Sequence, residues 1–175
     1  MLIDLHEVLQ DDGKVVQKDA ALEMDTYVSD FGEFPIASKA PVSLKLQNRG
    51  ERELRIQGST ELTLIVPCDR CLSEVRVPFA LQIERDVDMK QTDDERTEAL
   101  DETSYIEGYH LDVDQLICSE MLVSWPSKVL CREDCRGLCR ICGTDLNKHT
   151  CSCSDDSSDP RMAQIQEIFR KFKEV

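Results

Sequence analysis

The chain has 175 residues, of which 41% are hydrophobic, 32% charged and 5% aromatic, with a formal net charge of −14. That length suits one domain with an appendage or two small domains, and so acidic a chain is repelled by phosphate backbones, which excludes broad electrostatic capture of nucleic acid. No apolar stretch approaches the ~20 residues of a membrane helix, and Met1-Leu2-Ile3-Asp4-Leu5-His6 lacks the basic and apolar segments of a secretory signal, so a cytoplasmic location is expected.

Residues 1–40 carry no sustained period. Leu2, Ile3, Leu5, Val8 and Leu9 fit either an edge strand or a short helical turn, and Asp11-Asp12-Gly13 is a turn signal. From Pro41 the alternation of a half-buried strand sets in. Val42, Leu44 and Leu46 end at the turn Asn48-Arg49-Gly50, and Leu54 and Ile56 lead to a second expected turn at Gly58-Ser59. Leu62, Leu64 and Val66 alternate up to Pro67, and Val75, Val77, Phe79, Leu81 and Ile83 form the longest period-two run. Strands with one apolar face joined by short turns predict an antiparallel sheet over about residues 40–90.

Residues 91–104 break the pattern and read as a solvated acidic loop. Asp112 is then a good N-cap for a helix carrying Val113, Leu116, Ile117, Met121, Val123 and Trp125, which Pro126 stops. Cys118 lies within it, far in sequence from other thiols, and reads as a small buried hydrophobe. Near the end of the chain, Met162, Ile165, Ile168, Phe169 and Phe172 mark the apolar stripe of a C-terminal helix that packs on the sheet or meets a partner. The predicted fold class is α+β: an antiparallel β-sheet packed by a helix, a cysteine-rich zinc-binding tail, and a C-terminal helix. The division is residues 1–125 as the sheet-plus-helix domain and 126–175 as the cysteine-rich segment with the final helix.

Charge divides unevenly along this plan. Residues 1–90 hold eleven basic and seventeen acidic side chains, and residues 91–125 one against ten. Residues 126–175 hold nine against eight, so any RNA contact is expected to begin in the tail. The candidates are Arg132, Arg136, Arg140 and Lys148, which a metal-stiffened loop would present to a phosphate or a folded RNA corner.

The tail also holds the chemistry. Six of the nine cysteines fall between Cys131 and Cys153. Without a secretory signal, thiols at that density read as ligands for a soft cation such as Zn²⁺ and not as a disulfide framework. Eight cysteines form four local pairs: Cys68 with Cys71, Cys131 with Cys135, Cys139 with Cys142, and Cys151 with Cys153. A two-residue gap lets both sulfurs turn toward one ion, and Gly143 frees the backbone for the tight knuckle. One grouping unites Cys139, Cys142, Cys151 and Cys153, and joins Cys68 and Cys71 to Cys131 and Cys135. Another places Cys131, Cys135, Cys139 and Cys142 in one compact site. Spacing alone leaves both open, with one or two zinc ions.

Catalytic zinc keeps an open position and takes His or carboxylate ligands. The chain offers only His6, His110 and His149, so all-sulfur, structural ligation is expected, with His149 as the only histidine near the cluster. Cys-x-x-Cys also occurs as a redox dithiol, where Arg70 or Arg140 would lower a thiol pKa, but neither pair has the strand-then-helix frame of such enzymes. No other motif proposes catalysis.

The order of these features, from Pro67-Cys68-Asp69-Arg70-Cys71-Leu72 through Trp125-Pro126 to Gly137-Leu138-Cys139…Cys142-Gly143-Thr144-Asp145-Leu146-Asn147, resembles the bacterial YceD family across about residues 40–173. The resemblance implies a non-enzymatic, metal-binding role in large ribosomal subunit biogenesis and ribosomal RNA accumulation. The implied partners are ribosomal proteins or large-subunit assembly intermediates, with local ribosomal RNA contact, and neither a membrane nor a small-molecule substrate. The alternative is a zinc-containing thiol-redox or transcriptional regulator.

Overall fold

A computed structural model describes residues 1–90 and 105–153. The expected acidic loop and C-terminal helix lie outside the described residues. The chain divides into two compact units, the first of Met1–Cys68 and Ser73–Cys131, the second of Asp69–Leu72 and Arg132–Val175.

Unit 1 is mostly antiparallel β-structure with few helices. Its elements are β1 (Leu2–Asp4), α1 (His6–Leu9), β2 (Val15–Ala20), β3 (Thr26–Ser29), β4 (Gly32–Lys39), β5 (Val42–Asn48), β6 (Glu53–Pro67), β7 (Glu74–Asp88), β8 (Ile106–Glu107), β9 (His110–Asp112) and α2 (Val113–Val123). The larger sheet runs β2-β5-β6-β4-β3, with β7 along the other edge of β6. A small sheet orders β1, β9 and β8. The period-two pattern is the physical cause. Leu54, Ile56, Thr60, Leu62, Leu64 and Val66 of β6 are buried, and they stand opposite the residues of β7 that include Phe79, Leu81, Ile83 and Val87. Residues 1–40, which showed no sustained period, supply four strands and a one-turn helix.

One expected turn is absent. The chain does not reverse at Gly58-Ser59, because β6 continues through both residues and pairs with β7 from Glu53↔Asp88 to Pro67↔Glu74. Gly58 marks a close approach instead. A Cβ there would lie 2.6 Å from the Ser43 carbonyl oxygen and 2.8 Å from Leu44 Cδ2. Gly in a strand interior signals such an approach as readily as it signals a turn. Gly58→Ala is expected to destabilise unit 1 by about 1–3 kcal/mol, as overpacking does, read as a lower denaturant midpoint at unchanged slope.

Helix α2 begins as expected. The Asp112 carboxylate accepts hydrogen bonds from the backbone N–H of Asp114 at 3.0 Å and of Gln115 at 3.3 Å. Val113, Leu116, Ile117 and Met121 are buried in the core. Arg85 falls in register with Ile56, on the core-facing side of β7, where its Nε donates to Glu120 Oε1 of α2 at 2.7 Å. Glu120 is 7% exposed, so this charge needs its partner. After α2, Trp125 stands among four rings: Phe34 at 5.0 Å between centroids, Tyr27 and Phe31 at 5.7 Å, and Phe79 at 5.8 Å. Cys118 is half-buried with its sulfur 3.6 Å from Met24 Sδ. Burial pushes its thiol up to about 11, helped by the charges of Asp114 and Asp112, so it stays protonated at neutral pH. Among the described residues no helix is long and apolar enough to cross a membrane.

Candidate metal centres

Eight cysteines fall into two groups, Cys68, Cys71, Cys131 and Cys135, and Cys139, Cys142, Cys151 and Cys153. Within each, the sulfur atoms lie within 4.8 Å of one another. Four thiolates at the ~2.3 Å zinc–sulfur distance stand about 3.8 Å apart at tetrahedral angles, so both groups need only a small contraction around an ion. Among the described residues neither imidazole nor carboxylate joins either group. His149 and Cys118 remain outside, and the alternative quartet of Cys131, Cys135, Cys139 and Cys142 does not form.

In the first group, Cys68 directly follows β6 and its Sγ accepts a hydrogen bond from the Cys131 backbone N–H at 3.4 Å. Cys68, Cys71 and Cys135 are buried and Cys131 is exposed. Cys71 and Cys135 belong to unit 2, where the Arg70 Nη1 donates to the Cys135 carbonyl oxygen at 2.6 Å. Arg70 is therefore an anchor for the backbone that carries the candidate ligand Cys135. Asn147 is a second anchor that spacing did not reveal. Its Oδ1 accepts from the Arg136 backbone N–H and from Arg132 Nη2, both at 2.8 Å, and its Nδ2 donates to Cys135 Sγ at 3.4 Å. Asn and Asp two residues apart in Asp145-Leu146-Asn147 signal a turn stabilised by its own side chains, and the Asn147 N–H does donate to Asp145 Oδ1 at 3.0 Å.

The second group is built on a knuckle. Gly143 N–H donates to the Cys139 carbonyl at 2.9 Å, Cys139 N–H donates to the Thr144 carbonyl at 2.8 Å, and Ile141 N–H points at Cys139 Sγ from 3.5 Å. Gly143 takes φ +73°, in the left-handed region. Leu72, at the same step after the other Cys-x-x-Cys, takes φ +61° without glycine's freedom. Cys142 is exposed and the other three are partly so. The Thr144 hydroxyl and N–H, with Cys139 and Cys153, draw Cys142 down to about 6. Its hydrogen bond to Cys142, with burial and Cys139, pushes Cys153 up to about 12. The Cys153 N–H acts to lower Cys151, but the contacts with Cys139 and Cys142 and burial leave it raised. Thiol ligands bind a metal as thiolates, so loading this group releases the protons held on Cys151 and Cys153.

Of the basic candidates, Arg132 is paired with Asp134 at 3.3 Å and Lys148 with Asp145 at 3.2 Å. Arg136 and Arg140 are exposed and have no ion pair among the described residues.

Residues 56–169, almost two thirds of the chain, match the family described as large ribosomal RNA subunit accumulation protein YceD. The chain belongs to the YceD family. Its curated relatives include an uncharacterized protein of Mycobacterium tuberculosis, 26% identical over 73% of this chain and 60% of its own length. An uncharacterized protein of Mycobacterium leprae is 25% identical over 76% of this chain and 58% of its own. This YceD-family chain thus spans about three fifths of the curated relatives it matches. No solved structure matches it.

Proposed function

We propose that this chain is a non-catalytic binding factor in large-subunit ribosomal RNA accumulation, built around two structural zinc centres and acting in the cytoplasm. The observation that carries the metal assignment is the pair of all-cysteine quartets, since four thiolates saturate a tetrahedral ion and leave no position for a reacting water. The family description supplies the ribosomal RNA connection. Charge then shapes the partner. Residues 1–125 carry twelve basic and twenty-seven acidic side chains, which suits a basic ribosomal protein or assembly intermediate better than naked RNA. Arg136 and Arg140, exposed and outside ion pairs among the described residues, are the side chains for local phosphate contact.

The test is affinity purification of the full chain followed by sucrose-gradient sedimentation. Comigration with large-subunit precursors, and salt-sensitive capture of a ribosomal protein, are the expected results. Tight binding to naked ribosomal RNA with no ribosomal protein partner would overturn the preference. A second reading, a zinc-containing thiol-redox or transcriptional regulator, draws on the exposed Cys142, whose thiol is drawn down to about 6. Thiol titration of metal-loaded protein separates the two: unreactive thiols favour the structural role, and one fast-reacting pair favours the regulator.

A further inference from the structure

A pocket of about 260 Å³ in unit 1, remote in sequence from the cysteines of the tail, is lined by His6, Leu9, Gln10, Arg52, Met89 and Tyr109. Four segments build it: α1 and its C-terminal end, the β5–β6 turn, the residue after β7 and the β8–β9 hairpin. The tight β8–β9 hairpin presents Tyr109 at its tip, and the Leu5 N–H holds the Tyr109 carbonyl at 2.9 Å. That bond sets the next residue, His6, beside Tyr109, with ring centroids 4.5 Å apart and planes tilted by 36°. The β5–β6 turn brings in Arg52, whose carbonyl accepts the Met89 N–H at 3.0 Å.

The chemistry of this lining is unusual for the chain. In so acidic a protein, Arg52 is an exposed cation with no ion pair among the described residues. It is held with φ +65° directly after Glu51 at φ +53°, two non-glycine residues in the left-handed region. Tyr109 is 39% exposed, so its side chain is reachable from solvent beside the His6 ring. Met89 is 7% exposed and gives the pocket an apolar wall, and Gln10 offers an amide for a heterocycle edge. The volume falls just below the ~300 Å³ at which whole small-molecule sites begin. It suits one flat base better than an extended metabolite.

We propose that this pocket takes one unstacked nucleotide, its base against the His6–Tyr109 rings and its phosphate on Arg52. Stacking on aromatic faces beside a guanidinium is how proteins hold single-stranded RNA without reading a long sequence. A local site of this kind is compatible with overall repulsion, because one stacked base and one paired phosphate need no basic surface. The choice of an RNA strand over a free nucleotide as the source rests on the proposed ribosomal RNA role. The pocket chemistry does not.

The experiment uses the zinc-loaded full chain, with amide NMR shifts and fluorescence anisotropy against a labelled single-stranded RNA of about eight nucleotides, and AMP as the second probe. Shifts at His6, Gln10, Arg52 and Tyr109 are expected. Tyr109→Ala should weaken RNA binding roughly 5- to 100-fold, the range for loss of one base stack, while Tyr109→Phe retains it. Arg52→Gly allows the same backbone, removes the guanidinium, and should weaken binding while flattening its salt dependence. If Tyr109→Ala fails to fold, the Arg52→Gly variant and the wild-type shift map still decide. Binding of AMP without RNA supports the pocket and assigns it to a free nucleotide. RNA binding unchanged in both variants overturns the pocket and leaves the ribosomal role standing. No shift at these amides with either probe overturns it whatever the sedimentation result.

Discussion

Removing metal from the full chain with a chelator is expected to abolish the ordered fold of residues 132–153 while the strands of unit 1 persist. The reason is the distribution of apolar burial. None of the clustered core residues lies in Asp69–Leu72 or Arg132–Cys153, so among the described residues unit 2 has hydrogen bonds and sulfur groups in place of a hydrophobic interior. Structural zinc supplies about 10–16 kcal/mol of binding free energy in small sulfur-ligated modules, more than a peptide of this size obtains from its turns. Elemental analysis should return two ions per chain, and Cys139→Ser and Cys71→Ser should each lose one. Cys151 and Cys153 keep their protons in the metal-free state, so loading releases protons and the affinity should fall as pH falls. The measurement is amide NMR dispersion before and after chelation. An unchanged spectrum for residues 132–153 in protein shown to be metal-free would sink the metal assignment.

Trp125→Ala is the second large effect, expected to cost about 3 kcal/mol, the low end for a large aromatic, because Trp125 is partly buried and packs against the core. The indole contacts Tyr27 and Phe34 from the β3–β4 hairpin and Phe79 from β7, so its loss opens space where three segments meet. Phe31→Ser provides the contrast. That ring also stacks on Trp125, but it is 61% exposed, and its removal should cost under about 1 kcal/mol. Urea unfolding of the metal-loaded chain, followed by tryptophan-independent circular dichroism, compares the two. Equal losses would show that Trp125 is a surface contact and not a packing centre.

These two expectations differ in how far they were legible without coordinates. The thiol quartets follow from spacing narrowed by geometry: a Cys-x-x-Cys pair turns both sulfurs to one side, and chain closure then selects which pairs meet. The strands from Val42 to Ile83 were legible because alternation is strict where one face is buried. Val15–Ala20 and Gly32–Lys39 were not. Only Ala20 is fully buried in the first, and the second mixes Pro35, Ser38 and Lys39 with a register shift between Ile36 and Ser38. Short or irregular strands obtain their pairing from neighbours, which no local window records. Gly58 misled for a related reason, since a glycine that admits a neighbouring backbone looks in sequence like one that permits a turn. The hub role of Trp125 and the anchoring by Asn147 depend on partners far along the chain, and local pattern does not carry them.

The allocation of Asp69–Leu72 to unit 2 has a practical meaning for anyone wishing to dissect the molecule. Those four residues interrupt a continuous hairpin, yet Arg70 holds the Cys135 carbonyl and its own carbonyl accepts the Leu138 N–H at 3.1 Å. No single cut therefore yields two self-sufficient fragments. A truncation before Arg132 strands a loop that was shaped for other neighbours, and the isolated tail arrives without the tetrapeptide it was folded around. Separate expression of the halves would sample a broken module, whereas grafting residues 68–72 through a short linker onto a tail that starts at Cys131 would keep all four sulfurs of the first group.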